Sequence, residues 1–190
     1  MNKFTEIING VELTFETAPT SFSPQGIDKG TLAMLSVAEF SQGDKVLDLG
    51  CGYGAVGIYA AKIIGCQNVI MSDIDHESIE LAEKNAELNG VSGIEIIQSD
   101  GFNNITEKDF TLILSNPPYH TDFSVAKHFI EKGFNRLKIC GKMLMVTKRR
   151  DWYKNKFIAI FGGVKIKEIG EYLIFCAQKR SADYAGKAKR

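Results

Sequence analysis

The 190-residue chain lacks much of what marks several protein classes. Its four cysteines, Cys51, Cys66, Cys140 and Cys176, include no C-x-x-C pair, and no histidine cluster stands near them. Neither a zinc site nor a disulfide framework is indicated, and free thiols suit a reducing cytoplasm. No charged-then-apolar leader opens the sequence, and no apolar run approaches the roughly 18 residues of a spanning helix. A cytoplasmic protein without membrane segments or a bound metal is therefore expected. Charge of one sign is not in excess either: 23 basic residues stand against 23 acidic ones. No overall field draws the protein to nucleic acid, so any such binding must come from a local patch. Internal repeats and low-complexity linkers are also missing. At 44% hydrophobic and 24% charged residues, the composition is that of a folded globular chain. The length suits one domain, divided here into an N-terminal hairpin and loop (1–30), a core (31–178) and a polar tail (179–190) expected to fray.

The order of elements can be read from punctuation and period. "TEIINGVELTF" sets Asn9-Gly10 between two partly alternating segments, which predicts a β-hairpin. "TAPTSFSPQGIDKGT" reads as a loop leading into a helix from about Thr31 to Phe40. From Lys45 onward strands alternate with helices. "KVLDL", "NVIMSD", "IEIIQSD", "FTLILSN" and "KMLMVT" are the strands, and helices fall on "AVGIYAAKIIG", on "HESIELAEKNAELNG", from about Phe123 to Lys138, and from Trp152 to Phe161. In the second of these helices Ile79, Leu81, Ala82, Ala86 and Leu88 form the apolar face. Such alternation predicts a doubly wound α/β fold, with a mostly parallel sheet covered by helices on both faces. "GVKIKEIGEYLIFCAQ" differs, because Gly170-Glu171 is too short for a crossover helix; the last two strands should form an antiparallel hairpin at the sheet edge.

Proline is scarce, with four in the chain, yet two stand side by side in "LILSNPPYHTDF", residues 112–123. Each proline fixes its own φ and biases the preceding residue toward extended backbone. The strand should therefore exit through a stiff turn presenting the Asn116 side chain, the Pro117 carbonyl and the Tyr119 ring in one arrangement. A rigid exit without chemistry is the plain alternative.

"VLDLGCGYGAVG", residues 46–57, is a strand feeding a glycine-rich loop that opens a helix. Glycines allow a tight turn and close approach of backbone to a ligand. Gly52 to Gly57 spell G-x-G-x-x-G, the dinucleotide fingerprint. In that fingerprint the first glycine ends the strand, whereas here Gly50 does, with Asp48 two residues earlier and Cys51 following. A carboxylate aimed into the cleft repels a pyrophosphate and attracts an ammonium group, which S-adenosylmethionine carries together with a sulfonium. The second strand ends in "MSDID", where Asp73 and Asp75 lie about 20 to 25 residues beyond the glycine loop, at the usual place for a ribose-binding acid. The third ends in "QSDGF", where Asp100, beside Gly101, can meet an adenine amino group while Ile74 and Phe102 flank the ring. Taken singly, each acid reads equally as a helix cap or turn residue. Acids at the ends of three successive parallel strands mark the ligand-binding edge of such a sheet.

"VLDLGCGYG", "SDID", "SDGF" and "NPPYH", in this order and at these distances, resemble the class I S-adenosylmethionine-dependent methyltransferases, and most of all the small domain of bacterial 16S rRNA guanine-N2 methyltransferases. The likeness runs from about Phe4 to Gln178 and includes "SFSPQGIDKGT". It implies a Rossmann-like seven-stranded fold, S-adenosylmethionine as cofactor and ribosomal RNA as partner. By resemblance, Asp48, Gly50, Gly52 and Gly54 hold the methionine part of the cofactor, Asp73 the ribose and Asp100 the adenine. Asn116, Pro117, Pro118 and Tyr119 form the catalytic tetrapeptide for a planar nitrogen nucleophile, and His120 is a candidate late proton acceptor. The two-domain rRNA enzymes carry a further half that this chain is too short to contain. The acceptor therefore stays open among guanine N2, adenine N6 and a protein glutamine amide, and two further readings are a non-catalytic RNA-binding factor and a nucleotide-dependent oxidoreductase. "KRRDWYKNK", residues 148–156, is the candidate RNA patch, with Lys148, Arg149, Arg150 and Lys154 interleaved with aromatics. A solvated helix start with the aromatics in the core is its alternative.

Overall fold

Asn9 and Gly10 take φ values of 48° and 84°, the left-handed pair that a two-residue hairpin turn requires. The flanking strands β1 (Asn2–Ile8) and β2 (Val11–Thr17) accordingly pair antiparallel, with Ile8 opposite Val11. The computed structural model describes residues 1–118 and 123–187. After the hairpin come α1 (Lys29–Leu35), β3 (Val46–Leu49), α2 (Ala55–Ile64), β4 (Val69–Asp73), α3 (His76–Leu88), β5 (Glu95–Gln98), β6 (Phe110–Ser115), α4 (Phe123–Arg136), β7 (Leu137–Thr147), α5 (Asp151–Phe161), β8 (Lys165–Ile169) and β9 (Tyr172–Gln178).

Strands β3 to β9 form one seven-stranded sheet in the order β5-β4-β3-β6-β7-β9-β8. Pairing is parallel from β5 through β7 and antiparallel for β7 with β9 and β9 with β8. The Gly170-Glu171 turn joins β8 to β9 as a hairpin, as its brevity dictates. Every residue of β3 is buried, as expected of a central parallel strand covered on both faces. On one face Val46, Leu112, Leu144 and Ile174 pack with α1, α2, α3 and the N-terminal hairpin; on the other Leu47, Ile113, Met143 and Phe175 pack with α4 and α5. Burying a Leu, Ile or Phe side chain fully is worth roughly 1.5 to 3 kcal/mol, so these two layers dominate the stability. Among the described residues no helix is long and apolar enough to cross a membrane.

Asn85 of α3 and Asn89, which caps that helix, fasten the hairpin to it. Asn85, fully buried, accepts the Glu16 N–H at 2.7 Å and donates to the carbonyls of Glu16 and Tyr53, both at 2.9 Å. One turn later Asn89 accepts from Thr14 N–H at 3.0 Å and donates to its carbonyl at 2.7 Å. These side-chain amides act on β2 as a neighbouring strand would. Because Tyr53 lies in the glycine loop, the same clamp links that loop to the hairpin and sets residues 18–28 over the ends of the strands.

The structure departs from the sequence-based expectations at several element ends. Helix α1 runs Lys29–Leu35: it starts before Thr31 because Asp28 caps its N-terminus, and it closes at Ser36, short of Phe40. Strand β7 reaches back to Leu137 through an irregularity where Cys140 has a φ of 69°. Leu88, assigned to the apolar face of α3, is 40% exposed. In the tail, expected to fray, two described residues make contacts with the core. Lys179 is buried with its Nζ donating to the Leu137 carbonyl at 2.8 Å, and Tyr184 packs edge-on to Phe134 and donates to the Glu131 carbonyl at 3.0 Å.

Candidate active site

The order of strands reverses between β3 and β6, since β4 and β5 extend the sheet to one side and β6 and β7 to the other. A crevice opens outside the carboxyl ends of the strands at such a switch point. Here it is a cavity of about 460 Å³, within the roughly 300 to 1,000 Å³ of small-molecule sites. Its walls come from the ends of four adjacent strands: Asp48 to Tyr53 after β3, Ser72 to Ile74 after β4, Ser99 to Gly101 after β5 and Asn116 to Pro118 after β6. Four strands side by side span about 14 Å, enough for an elongated ligand.

Four carboxylates line this cavity, those of Asp28, Asp48, Asp73 and Asp100, and no lysine, arginine or histidine among the described residues does. Asp48 is 2% exposed, and its Oδ2 accepts the Gly57 N–H at 2.8 Å. Burial pushes its carboxyl up to about 7, against the lowering effect of that hydrogen bond and with the Asp73 charge adding to the rise. The Cys51 thiol is raised by burial and then by the charges of Asp48 and Asp73, which keeps it a neutral wall and not a nucleophile. Asp73 accepts the Gly52 N–H at 2.8 Å and the Asp75 N–H at 3.1 Å, so its orientation is fixed. Asp75 itself turns away to cap α3, accepting from the N–H and hydroxyl of Ser78.

The glycine loop supplies backbone without side chains where the cavity needs it. Gly50 and Gly52 have φ values of 76° and 54°, and the space a Cβ would fill at Gly52 is empty to 4 Å. Both Gly50 and Cys51 N–H groups are spent on the Ser72 carbonyl, at 2.8 and 2.9 Å. The Ser72 hydroxyl, in the cavity wall and 1% exposed, has no hydrogen-bond partner among the described residues. These features fit S-adenosylmethionine better than a dinucleotide: an excess of carboxylates suits an ammonium and a sulfonium, whereas a pyrophosphate would meet Asp48 and Asp73 without a cation to offset them.

At the other wall, Ser115 donates to the Leu49 carbonyl at 2.7 Å and locks the end of β6 to β3. Asn116 follows directly. Its Nδ2 donates to Asp28 Oδ2 and Thr31 Oγ1, both at 2.9 Å, so the two N–H groups of the amide face α1. Pro117 is buried and Pro118 exposed in the same wall. Tyr119 and His120 lie outside the described residues.

Most residues singled out from the sequence meet at this cavity: Asp48, Gly50, Cys51, Gly52, Asp73, Ile74, Asp100, Gly101, Asn116, Pro117 and Pro118. Two do not line it. Gly54 turns its α-carbon toward Ile58 and Met71 and serves as the N-cap of α2. Phe102, 4% exposed, packs in the core on the α4 side; the apolar wall comes instead from Ile74, Val125 and Phe129, the last two one turn apart on α4. Sequence reasoning also passed over Asp28 and Thr31. The signal was present, an aspartate three residues before threonine at a helix start, but its pairing with Asn116 is a tertiary contact.

The basic segment lies beside the cavity and not in its wall. Lys148 pairs with Glu171 at 2.7 Å and Arg150 with Glu168, both acids of the β8–β9 hairpin. The Arg149 guanidinium sits 5.0 Å over the Phe123 ring, which is stacked on Trp152 at 4.3 Å. Lys154 is exposed and Tyr153 is buried in the core.

A family model described as methyltransferase small domain matches residues 12–175. The chain is 33% identical over 165 residues to ribosomal RNA small subunit methyltransferase C of Psychromonas ingrahamii, covering 85% of this chain and 47% of that one. It is 30% identical over 170 residues to the uncharacterized protein YbxB of Bacillus subtilis, covering 86% and 85% of the two. It thus spans about half the length of the curated relatives named methyltransferase C and most of the length of YbxB. Among solved structures it is similar to the T. thermophilus 16S rRNA methyltransferase RsmC, an enzyme for N2 of a G, in complex with AdoMet and guanosine. The TM-score is 0.87 at 29% identity, over 94% of this chain and 50% of that one.

Proposed function

The chain belongs to the methyltransferase small-domain family, and is by that membership an S-adenosylmethionine-dependent methyltransferase; from this premise we propose that its acceptor is an exocyclic base amine, N2 of a guanine in 16S ribosomal RNA. The observation that carries this reading is the cavity lined by four carboxylates that runs along the strand ends to Asn116 and Pro117. The relatives that act on small-subunit RNA support the choice of acceptor. Such an acceptor also makes the cytoplasm the compartment of action.

When bound, the cofactor supplies an electrophilic methyl group on a sulfonium. The chain's own residues do the rest. Asp48 faces the ammonium end, Asp73 the ribose, and Asp100 with Gly101 the adenine, stretching the ligand across the strand ends. An exocyclic amine is a poor nucleophile because its lone pair is delocalised into the ring. The Asn116 side-chain oxygen and the Pro117 carbonyl accept its two N–H groups, which favours tetrahedral nitrogen and stabilises the positive charge as it develops. Consecutive prolines hold both acceptors still, and the remaining acceleration comes from aligning nitrogen, methyl carbon and sulfur. Tyr119 is the proposed stacking partner of the base, a contact worth roughly 1 to 3 kcal/mol in single-stranded recognition.

Tritium transfer from labelled S-adenosylmethionine to separated small subunits, large subunits, bulk RNA, DNA and protein tests the proposal. N2-methylguanine in small-subunit RNA is the expected product. N6-methyladenine or methylglutamine would keep the mechanism and move the acceptor, and cofactor binding with no transfer to any fraction would favour a binding role.

A further inference from the structure

The amide of Asn116 is held from a part of the chain 85 to 88 residues away. Its Nδ2 donates to Asp28 Oδ2 and to Thr31 Oγ1, each at 2.9 Å. The same Asp28 oxygen accepts the Thr31 N–H at 3.0 Å and so caps α1. All three residues line the cavity. The terminal torsion of an asparagine is broad and nearly two-fold, so an amide at this position can present either its oxygen or its NH2. Two acceptors matched to its two N–H groups remove that choice and leave the oxygen at the opposite end.

The charge on Asp28 adds a second effect. A carboxylate bound to the N–H of an amide makes a charge-assisted bond and draws electron density toward the amide oxygen, which becomes a stronger acceptor. From this geometry we infer that Asp28, with Thr31, is a positioning residue for methyl transfer: it fixes the rotamer of Asn116 and polarises its amide. The inference rests on the reading of Asn116 as an acceptor for the amine. It makes the loop before α1 part of the catalytic apparatus and not only a support for the hairpin.

Two substitutions separate this role from helix capping. Asp28→Asn keeps a good cap and similar shape but removes the charge. Asp28→Ser keeps the cap and loses the reach to Asn116. In both, kcat at saturating S-adenosylmethionine should fall roughly tenfold, the value of a hydrogen bond to a charged group, a loss separate from any change in cofactor affinity caused by removing one of the four cavity carboxylates. In an Asn116→Ala background neither should lower kcat further. A readout independent of turnover is the side-chain amide pair of Asn116 in the ligand-free protein, assigned by its absence in Asn116→Ala. It should exchange slowly in wild type, and shift and exchange faster in Asp28→Asn.

Wild-type turnover in both variants, or losses that persist without Asn116, overturns the inference. A wild-type protein that methylates no acceptor defeats the reading of the site instead. The amide resonance then decides, since a signal unmoved by Asp28→Asn overturns the inference and a shifted, deprotected one upholds it.

Discussion

Asp48 and Gly57 are joined by a buried hydrogen bond of 2.8 Å from the glycine N–H to the carboxylate Oδ2. It ties the end of β3 to the first turn of α2, and it explains a glycine the sequence left ambiguous. A Cβ on Gly57 would lie 2.3 Å from Cγ and Sδ of Met71 and 3.3 Å from Asp48 Oδ2. The third glycine of the G-x-G-x-x-G string therefore serves close packing of helix on sheet. Gly57→Ala should destabilise the fold by about 1 to 3 kcal/mol through overpacking, read as a lower urea midpoint with unchanged slope. An unchanged midpoint would mean that Met71 yields freely and that the glycine is not needed for packing.

The same carboxylate makes stability depend on pH in a definite direction. Its value of about 7 in the fold lies above the 3.8 of a free aspartate. Between those limits the folded protein holds a proton that the unfolded chain has released. The contribution of this group is thus fully present below about pH 4, declines as pH rises toward 7 and is level above it. Asp48→Asn should remove that decline, gaining stability over wild type at pH 8 and not at pH 4. Cofactor affinity should move the other way, since ionised Asp48 attracts the ammonium. Binding by wild type should tighten from pH 5.5 to 7, while Asp48→Asn binds weakly and without that trend. Calorimetric titrations beside urea curves at these pH values would show both.

Much of this arrangement was legible in the sequence because it depends on local rules. Asn9-Gly10 dictates a turn, Gly170-Glu171 excludes a crossover, and apolar runs between glycine stops give the parallel strands. Acids at strand ends found the cavity for the same reason, since residues just past a parallel strand must sit at one edge. Contacts between distant segments were not legible. Phe102 and Ile74 look alike as apolar neighbours of acids, but one turns into the α4 layer and the other lines the cavity. Asp75 resembles Asp73 until the helix begins and claims it as a cap. The charges of Lys148 and Arg150 read as a basic patch because Glu168 and Glu171, which offset them, arrive only when the last hairpin folds alongside.

Asn116→Ala should separate catalysis from cofactor binding. Removing one preorganised acceptor at a developing charge costs on the order of 100-fold in kcat. Cofactor affinity should change little, because the acids and the glycine loop that face it are untouched. Single-turnover transfer alongside equilibrium binding gives the two numbers. Equal kcat in mutant and wild type would remove Asn116 from the mechanism, and a matched loss of affinity would make it a cofactor ligand instead.

The ion pairs of the basic segment lead to a prediction in the opposite sense to the usual charge deletion. For Lys148 and Arg150 to meet phosphates, they must first leave Glu171 and Glu168. Exposed pairs of this kind are worth roughly 0 to 1 kcal/mol, so their loss should hardly affect folding. Glu168→Gln with Glu171→Gln should therefore leave the melting temperature nearly unchanged and tighten RNA binding by a few-fold. Lys148→Ala should weaken binding and reduce the slope of log affinity against log salt by about one. Filter binding of small-subunit RNA from 50 to 200 mM salt separates the cases, a range over which phosphate contacts lose most of their affinity. If the glutamine variant binds no better and the alanine variant keeps its slope, the segment is a solvated helix start whose charges serve the hairpin, and RNA must approach the cavity from another side.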